Sequence, residues 1–309
     1  MAAAVDAVSP SRLDAAEVPV SGGTPSIPMR PLAIGEVIDF SWDLVRRWPR
    51  ISLSLGVAVA VAIQVVAIPL AALFALLLSQ VSTQSAVGTL LILLGFAATS
   101  YAVQTLTHIG TAALSGLLAP VADDAVGGRT ASFRRIRESM RGRWLALLSL
   151  SAIVGVIETV ASLLLSFVGW AAVQPVVALT GPTVVLEKIG PFAAIRRATQ
   201  LSGKDSGRVL LIRLLAYLVQ ALLTVAVTSF VGAAAILLIS LFGPSTSLLF
   251  GLLFALEVIV LATNALIAPF VAYNAGILYA DRRMRGEGLD IEVLLANRRR
   301  RRTRKTGAS

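Results

Sequence analysis

The sequence contains no cysteine among its 309 residues. Disulfide frameworks, zinc–thiolate sites, iron–sulfur clusters and thiol nucleophiles are therefore excluded within the chain. It has one histidine and only 14% charged residues. No phosphate-binding loop, HExxH or GxSxG pattern stands on a suitable loop. We therefore expect no cofactor, no metal site and no enzymatic activity.

Apolar residues are abundant, at 56% of the chain with a mean hydropathy of +0.82. One soluble core could not use this much apolar surface. A helix of roughly 20 apolar residues crosses the hydrocarbon core of a bilayer, and within lipid such runs must be helical to satisfy their backbone polar groups. Six segments meet this description, at residues 51–79, 87–119, 144–168, 169–186, 209–241 and 246–280.

The 27 basic residues form four clusters, before residue 51, at 129–143, at 188–213 and from 282 onward. The alternate connections, at 80–86, 167–170 and 242–245, carry no charge. Basic loops stay on the cytoplasmic side during insertion, so six spans with both termini in the cytoplasm of a bacterial plasma membrane fit the pattern. A re-entrant fourth segment, interrupted by Pro175, Gly181 and Pro182, is the alternative. In this interpretation no basic residue remains within the membrane.

Three domains follow from these patterns. Residues 1–31 predict a disordered cytoplasmic tail, residues 32–285 a six-span membrane domain, and residues 286–309 a basic cytoplasmic tail. Within the membrane domain, segments beginning at Gly35, Ser132 and Pro191 each combine an amphipathic helix, a basic junction and a span. The predicted fold class is thus an all-α polytopic helical bundle in three amphipathic-helix/span/span repeats.

Three motifs carry a resemblance to a known family. They are RPLAIGEVIDFSWDLVRRWPR from Arg30, VVLEKIGPFAAIRRATQLSGK from Val184, and PFVAYNAGILYADRRMRGEGLDIE from Pro269. The chain resembles the membrane domain attached to some bacterial glycerophosphodiester phosphodiesterases and its stand-alone relatives. The resemblance implies a helical membrane module without catalytic residues, because hydrolysis in the fused proteins belongs to a separate soluble barrel.

Two acidic residues, Glu158 and Glu257, lie deep in the apolar runs, where an ionised carboxylate is costly. His108 and Gln104 share a helix face as potential partners of Glu158, and Asn264 lies two turns from Glu257. These groups could line a proton or cation path, or His108 and Glu158 could be the acid–base pair of a lipid-modifying enzyme. The simpler interpretation is that protonated carboxyls hydrogen-bond between helices.

Basic clusters near the spans predict contact with anionic lipid headgroups or with a membrane or cytoplasmic protein partner. The candidate residues are Arg46, Arg47, Arg134, Arg135, Arg137, Arg196, Arg197, Arg299 and Arg300. Nucleic acid is not favoured, because the terminal arginine run lacks interleaved aromatics and follows a membrane span. We expect a non-enzymatic module that assists an envelope or lipid-handling partner; a small transporter or channel using Glu158 and Glu257 is the alternative.

Overall fold

A computed structural model describes residues 27–28, 30–78, 81, 85–243 and 246–288. This part is helical, with no strand among the described residues. The elements are α1 (Ile34–Arg47), α2 (Pro49–Leu78), α3 (Ala86–Val126), α4 (Phe133–Met140), α5 (Trp144–Leu186), α6 (Pro191–Ser202), a 3-10 turn (Gly203–Asp205), α7 (Ser206–Phe242) and α8 (Thr246–Glu287).

Among the described residues, five helices are long and apolar enough to cross a membrane. They are Pro49–Phe74 within α2, the whole of α3, α5 and α7, and Val258–Glu287 within α8. The predicted all-α class with several membrane-spanning helices is confirmed at this level. Prolines interrupt four of these helices without ending them, as transmembrane helices tolerate.

Helix α5 contains a sharp break. The backbone leaves helical geometry at Leu165 (φ −131°, ψ 17°) and Ser166 (φ 51°, ψ −135°). Residues Gln174 and Glu158 hydrogen-bond across 2.5 Å, whereas 16 residues of straight helix would separate them by about 24 Å. The chain therefore reverses into a helical hairpin, whose arms we call α5a (144–164) and α5b (167–186). The sequence predicts this turn at 167–170, two residues too late.

The buried core lies towards one end of the bundle, where α3, α5b and α8 finish. Three stretches are buried without a gap. They run from Ala113 to Ala122 on α3, from Thr180 to Val185 on α5b and from Phe270 to Arg282 on α8. Close approach depends on small residues here: a Cβ atom on Gly181 would lie 2.9 Å from the amide nitrogen of Gly116. Helices α3, α5b and α8 thus form the packed centre.

The short helices α1, α4 and α6 also lie at this end, which we call the charged end (residues 30–50, 123–143, 187–208 and 279–288). Local signals set their starts: the Ser132 hydroxyl accepts from the Arg135 amide at α4, and Pro191 occupies the first turn of α6, where its missing N–H costs nothing. Each short helix buries a few residues, and most of its basic side chains are exposed.

Away from the charged end, large apolar side chains are exposed on the long helices. Examples are Val65, Leu76, Val87, Phe96, Leu164, Phe230 and Ile236. A soluble protein rarely exposes so continuous an apolar surface, and lipid accounts for it.

The sequence pattern places Arg213 in the basic cluster at 188–213, outside the apolar interior, and this prediction is wrong. In the structure it is the eighth residue of α7, and only 3% of its surface is exposed. Its neighbours in sequence, Leu211, Ile212, Leu214 and Leu215, are all apolar. A basic side chain is therefore buried inside the bundle.

Candidate functional site

The carboxylate of Glu158 is the centre of a buried polar cluster. Glu158 lies on α5a and is 3% exposed. Gln174 on α5b donates to its Oε1 across 2.5 Å, and Nδ1 of His108 on α3 lies 3.3 Å from its Oε2. Two neighbouring segments therefore each bring one polar side chain to this carboxylate.

The hairpin and a close helix contact position these partners. A Cβ on Gly169 would come within 2.0 Å of the Ala161 carbonyl oxygen, so only glycine lets the two arms of α5 pack this tightly. A Cβ on Gly155 would lie 3.0 Å from the Ile109 amide nitrogen. Glycine at this position lets α5a approach the backbone of α3, which brings His108 within reach of Glu158.

Arg213 on α7 also belongs to the cluster. Its guanidinium donates to the Val271 carbonyl oxygen (3.0 Å), to Oδ1 of Asn274 (3.4 Å) and to the hydroxyl of Tyr217 (2.9 Å). Arg213 and Glu158 line the same cavity of about 10 Å³. This volume approximates that needed for one water molecule.

Several buried polar atoms of this cluster have no hydrogen-bond partner among the described residues. They are Nε2 of His108, Oε1 of Gln174, Nε of Arg213 and Nδ2 of Asn274. Unpaired polar atoms cost free energy when they are buried. The cluster consequently offers both donors and acceptors to water or to a proton-carrying group.

Sequence reasoning missed Gln174, Arg213 and Tyr217. A signal for Arg213 existed, because it interrupts the apolar run VLLIRLLAYLV. Gln174 becomes recognisable only once the hairpin places α5b against α5a. Tyr217 is one helical turn beyond Arg213 and stacks edge-on against Trp170, with ring centroids 4.8 Å apart.

The other predicted interior residues do not join this cluster. Asn264 lines a separate, larger cavity of about 270 Å³. Gln104 lies one turn from His108 on α3 and is half-buried, with no hydrogen bond to the described part of the chain. The side chain of Glu257 lies outside the described residues. Thr111 lines both the larger cavity and the small one beside Glu158.

The predicted surface arginines fall into two groups. Arg46, Arg134, Arg137 and Arg196 are exposed. The others in the described part are half-buried or engaged within the chain: Arg47 lies over the Trp48 ring, Arg135 lies 3.6 Å from Asp124, and Arg197 pairs with Glu187 and Glu287. Arg299 and Arg300 lie outside the described residues.

Residues of the motif from Pro269 hold the charged end together. Asp281 is fully buried and accepts from the Leu32 amide (2.8 Å) and from Arg285 (3.1 Å). Arg208 and Arg285 both donate to the Leu32 carbonyl oxygen, at 2.5 and 2.7 Å. The segment before α1 is thereby clamped onto α7 and α8.

A second arginine of that motif ties α8 to α6. Arg282 is 6% exposed and donates to the Leu201 carbonyl oxygen (2.8 Å) and to Asp205 (2.6 Å). It therefore satisfies a carbonyl at the end of α6 that has no partner within the helix. The contacts of Asp281, Arg282 and Arg285 therefore give this motif a structural role, because they hold neighbouring segments of the chain together.

Comparison of the chain with protein families, with curated proteins and with solved structures finds no match in any of the three. The resemblance to the phosphodiesterase-associated membrane domain therefore stays a hypothesis.

Proposed function

We propose that this chain is a non-enzymatic module of the bacterial plasma membrane, with both termini cytoplasmic. Its charged end docks on anionic lipid headgroups and on a protein partner that handles lipids or the cell envelope. The short helices α1, α4 and α6 would form the docking surface.

The observation that carries this proposal is the pairing of exposed phenylalanines with exposed arginines. Phe133 is 50% exposed and precedes Arg134 at the start of α4; Phe192 is 76% exposed on the first turn of α6, which also bears Arg196. Amphipathic helices at a bilayer surface place aromatic rings among the acyl chains and basic groups among the headgroups. The fold itself leaves both groups uncovered.

Helix packing supports the proposed six spans and three repeats. Helix α2 packs against its successor α3 and against α8, α7 packs against its successor α8 and against α5, and α5 also packs against α3. Each opening helix would thus lie between its own closing helix and that of the preceding unit. This is the arrangement expected of three parallel repeats around one axis.

The test compares two triple variants of Arg134, Arg137 and Arg196. The triple glutamine variant removes the charges, and the triple lysine variant keeps them. Tagged proteins are captured in mild detergent from the native membrane, and co-purifying proteins and lipids are measured by mass spectrometry. We expect the wild type and the lysine variant to retain anionic lipids and a stoichiometric partner that the glutamine variant loses. Identical profiles for all three proteins would contradict the proposal.

A second candidate function is transport of protons or a small cation past Glu158. Two observations support this candidate. Nδ1 of His108 lies 3.3 Å from Oε2 of Glu158. Thr111 lines both cavities, so the larger cavity lies next to the small one beside Glu158. Carboxylates and imidazoles inside membrane bundles are typical of proton relays.

Flux into proteoliposomes tests this candidate. Transport should depend on pH and disappear in Glu158→Gln, whereas Glu138→Gln, on the exposed face of α4, should transport normally. Flux no greater than in empty liposomes would exclude the candidate.

A further inference from the structure

The larger cavity lies between α2, α3, α7 and α8 and has a volume of about 270 Å³. Much of its wall is made of small residues, among them Ala60 and Ala67 on α2, Gly110 on α3 and Ala268 on α8. Small side chains leave space where larger ones would interdigitate. An engineered apolar cavity of about 150 Å³ already holds a benzene molecule, so this volume suffices for a small headgroup and its first carbons.

The cavity opens sideways. Three of its lining residues are also exposed on the bundle surface: Ile68 (55% exposed), Ala71 and Thr107. All three lie inside segments long and apolar enough to span a membrane. A ligand would therefore reach this cavity from the bilayer.

The polar part of the lining is uncharged. It consists of three carboxamides, on Gln64, Gln220 and Asn264, and of two hydroxyls, on Thr107 and Thr111. None of the described lining residues is charged. An ionised headgroup placed here would lose its hydration without gaining a countercharge, which is strongly unfavourable. The lining selects a neutral polar group.

The hydrogen-bonding capacity of the lining favours a donor on the ligand. The buried Oε1 of Gln220 has no partner among the described residues. The hydroxyls of Thr107 and Thr111 donate to the carbonyl oxygens one turn earlier, at 3.0 and 2.9 Å. Their oxygens therefore remain available as acceptors. A hydroxyl or amide N–H complements these acceptors.

We propose that this cavity binds an uncharged amphiphile of the bilayer that carries hydroxyl or amide groups. Its polar head contacts Gln220 and the threonines of α3, and its acyl chain leaves past Ile68 into the lipid. The site is separate from the docking role proposed above, and either can fail without the other.

Photolabelling of the full chain in nanodiscs tests the proposal. The probe is a monoacylglycerol that carries a diazirine near its headgroup. The comparison probe is the fatty acid with the same chain and diazirine. Labelling is done at alkaline pH, where the carboxyl group of the fatty acid is ionised. We expect the monoacylglycerol to label peptides that contain lining residues of α2 and α3, and excess unlabelled monoacylglycerol to suppress this labelling. Equal labelling by the ionised fatty acid would overturn the assignment to an uncharged head.

Two adjacent substitutions on α2 provide a matched pair. Ala67 is 4% exposed and lines the cavity, whereas Val66 is 50% exposed on the outside. Ala67→Phe should fill the cavity and lower labelling by about fivefold or more, and Val66→Phe should leave it unchanged. Retained labelling in a folded Ala67→Phe protein would overturn the proposal. If that variant does not fold, competition on the wild type decides, because labelling that resists excess unlabelled monoacylglycerol also overturns it.

Discussion

The side-chain amide of Gln174 donates to the carboxylate of Glu158 across 2.5 Å, although 16 residues separate the two in sequence. Both side chains are buried. The bond joins the two arms of α5 about two helical turns from the break at Ser166. It can form only because the chain folds back into a hairpin.

Breaking this bond should destabilise the protein. Glu158→Leu leaves the amide of Gln174 without its acceptor, and Gln174→Leu leaves the carboxyl with one partner fewer. Each change should cost about 1–3 kcal/mol. The double variant should cost less than the sum of the two, because neither polar group is then left alone. Thermal unfolding in detergent measures the effect, and strictly additive costs would show that the contact is not energetically coupled.

The helical bundle was predictable because long apolar runs allow only one backbone structure in lipid. The sequence also suggested His108 as a partner of Glu158, and the two lie 3.3 Å apart. The sequence places Arg213 in the wrong environment because this residue lies only four residues after the start of a predicted span, next to the basic cluster. Its burial depends on the approach of α7 to α8, where it donates to the Val271 carbonyl oxygen. Such inter-helix contacts leave no periodic signal in one sequence.

Close packing at Gly181 predicts a strong effect of a single methyl group. A Cβ there would lie 2.9 Å from the Gly116 amide nitrogen and 3.0 Å from the Ala112 carbonyl oxygen, both backbone atoms of α3. Gly181→Ala should therefore force α3 and α5b apart and cost about 1–3 kcal/mol. Gly232→Ala is the matched control, because a Cβ at that position on α7 meets nothing within 4 Å. Equal thermal midpoints for the two variants would contradict the packing.

The clamp on the segment before α1 depends on Asp281. Asp281→Ala leaves the Leu32 amide unpaired and removes the buried carboxylate that Arg208 and Arg285 approach. We expect a loss of about 3 kcal/mol or more and faster proteolysis near Leu32. By contrast, Glu138→Gln breaks only an exposed pair with an arginine and should cost less than about 1 kcal/mol. An unchanged rate of cleavage in Asp281→Ala would argue against the clamp.

Acidification should weaken the charged end. A hydrogen bond from Arg30 lowers the pKa of Glu36 below its ordinary 4.5, and one from Arg282 lowers the pKa of Asp205 below 3.8. A carboxyl with a lowered folded-state pKa adds stability above its unfolded pKa and loses it as the pH falls through the folded value. The thermal midpoint of the wild type should thus exceed that of Glu36→Gln/Asp205→Asn at neutral pH and converge with it in strong acid. A difference that does not change with pH would contradict this assignment.

The absence of cysteine makes the topology of α5 directly testable, because every introduced thiol is the only one in the chain. Ser166 is exposed at the break, and Ser132 and Ser206 are exposed at the charged end. If α5a and α5b both cross the membrane, a membrane-impermeant thiol reagent added to intact cells should label Ser166→Cys. It should label Ser132→Cys and Ser206→Cys only after permeabilisation.

Ser100→Cys is the control for side chains that face lipid. Ser100 is exposed in the middle of α3, where a thiol has no water in which to ionise and should react slowly under both conditions. Labelling of Ser166→Cys only together with Ser132→Cys would mean that the α5 hairpin does not reach the far side. The six-span arrangement would then be wrong, and the membrane domain would contain a re-entrant hairpin in its place.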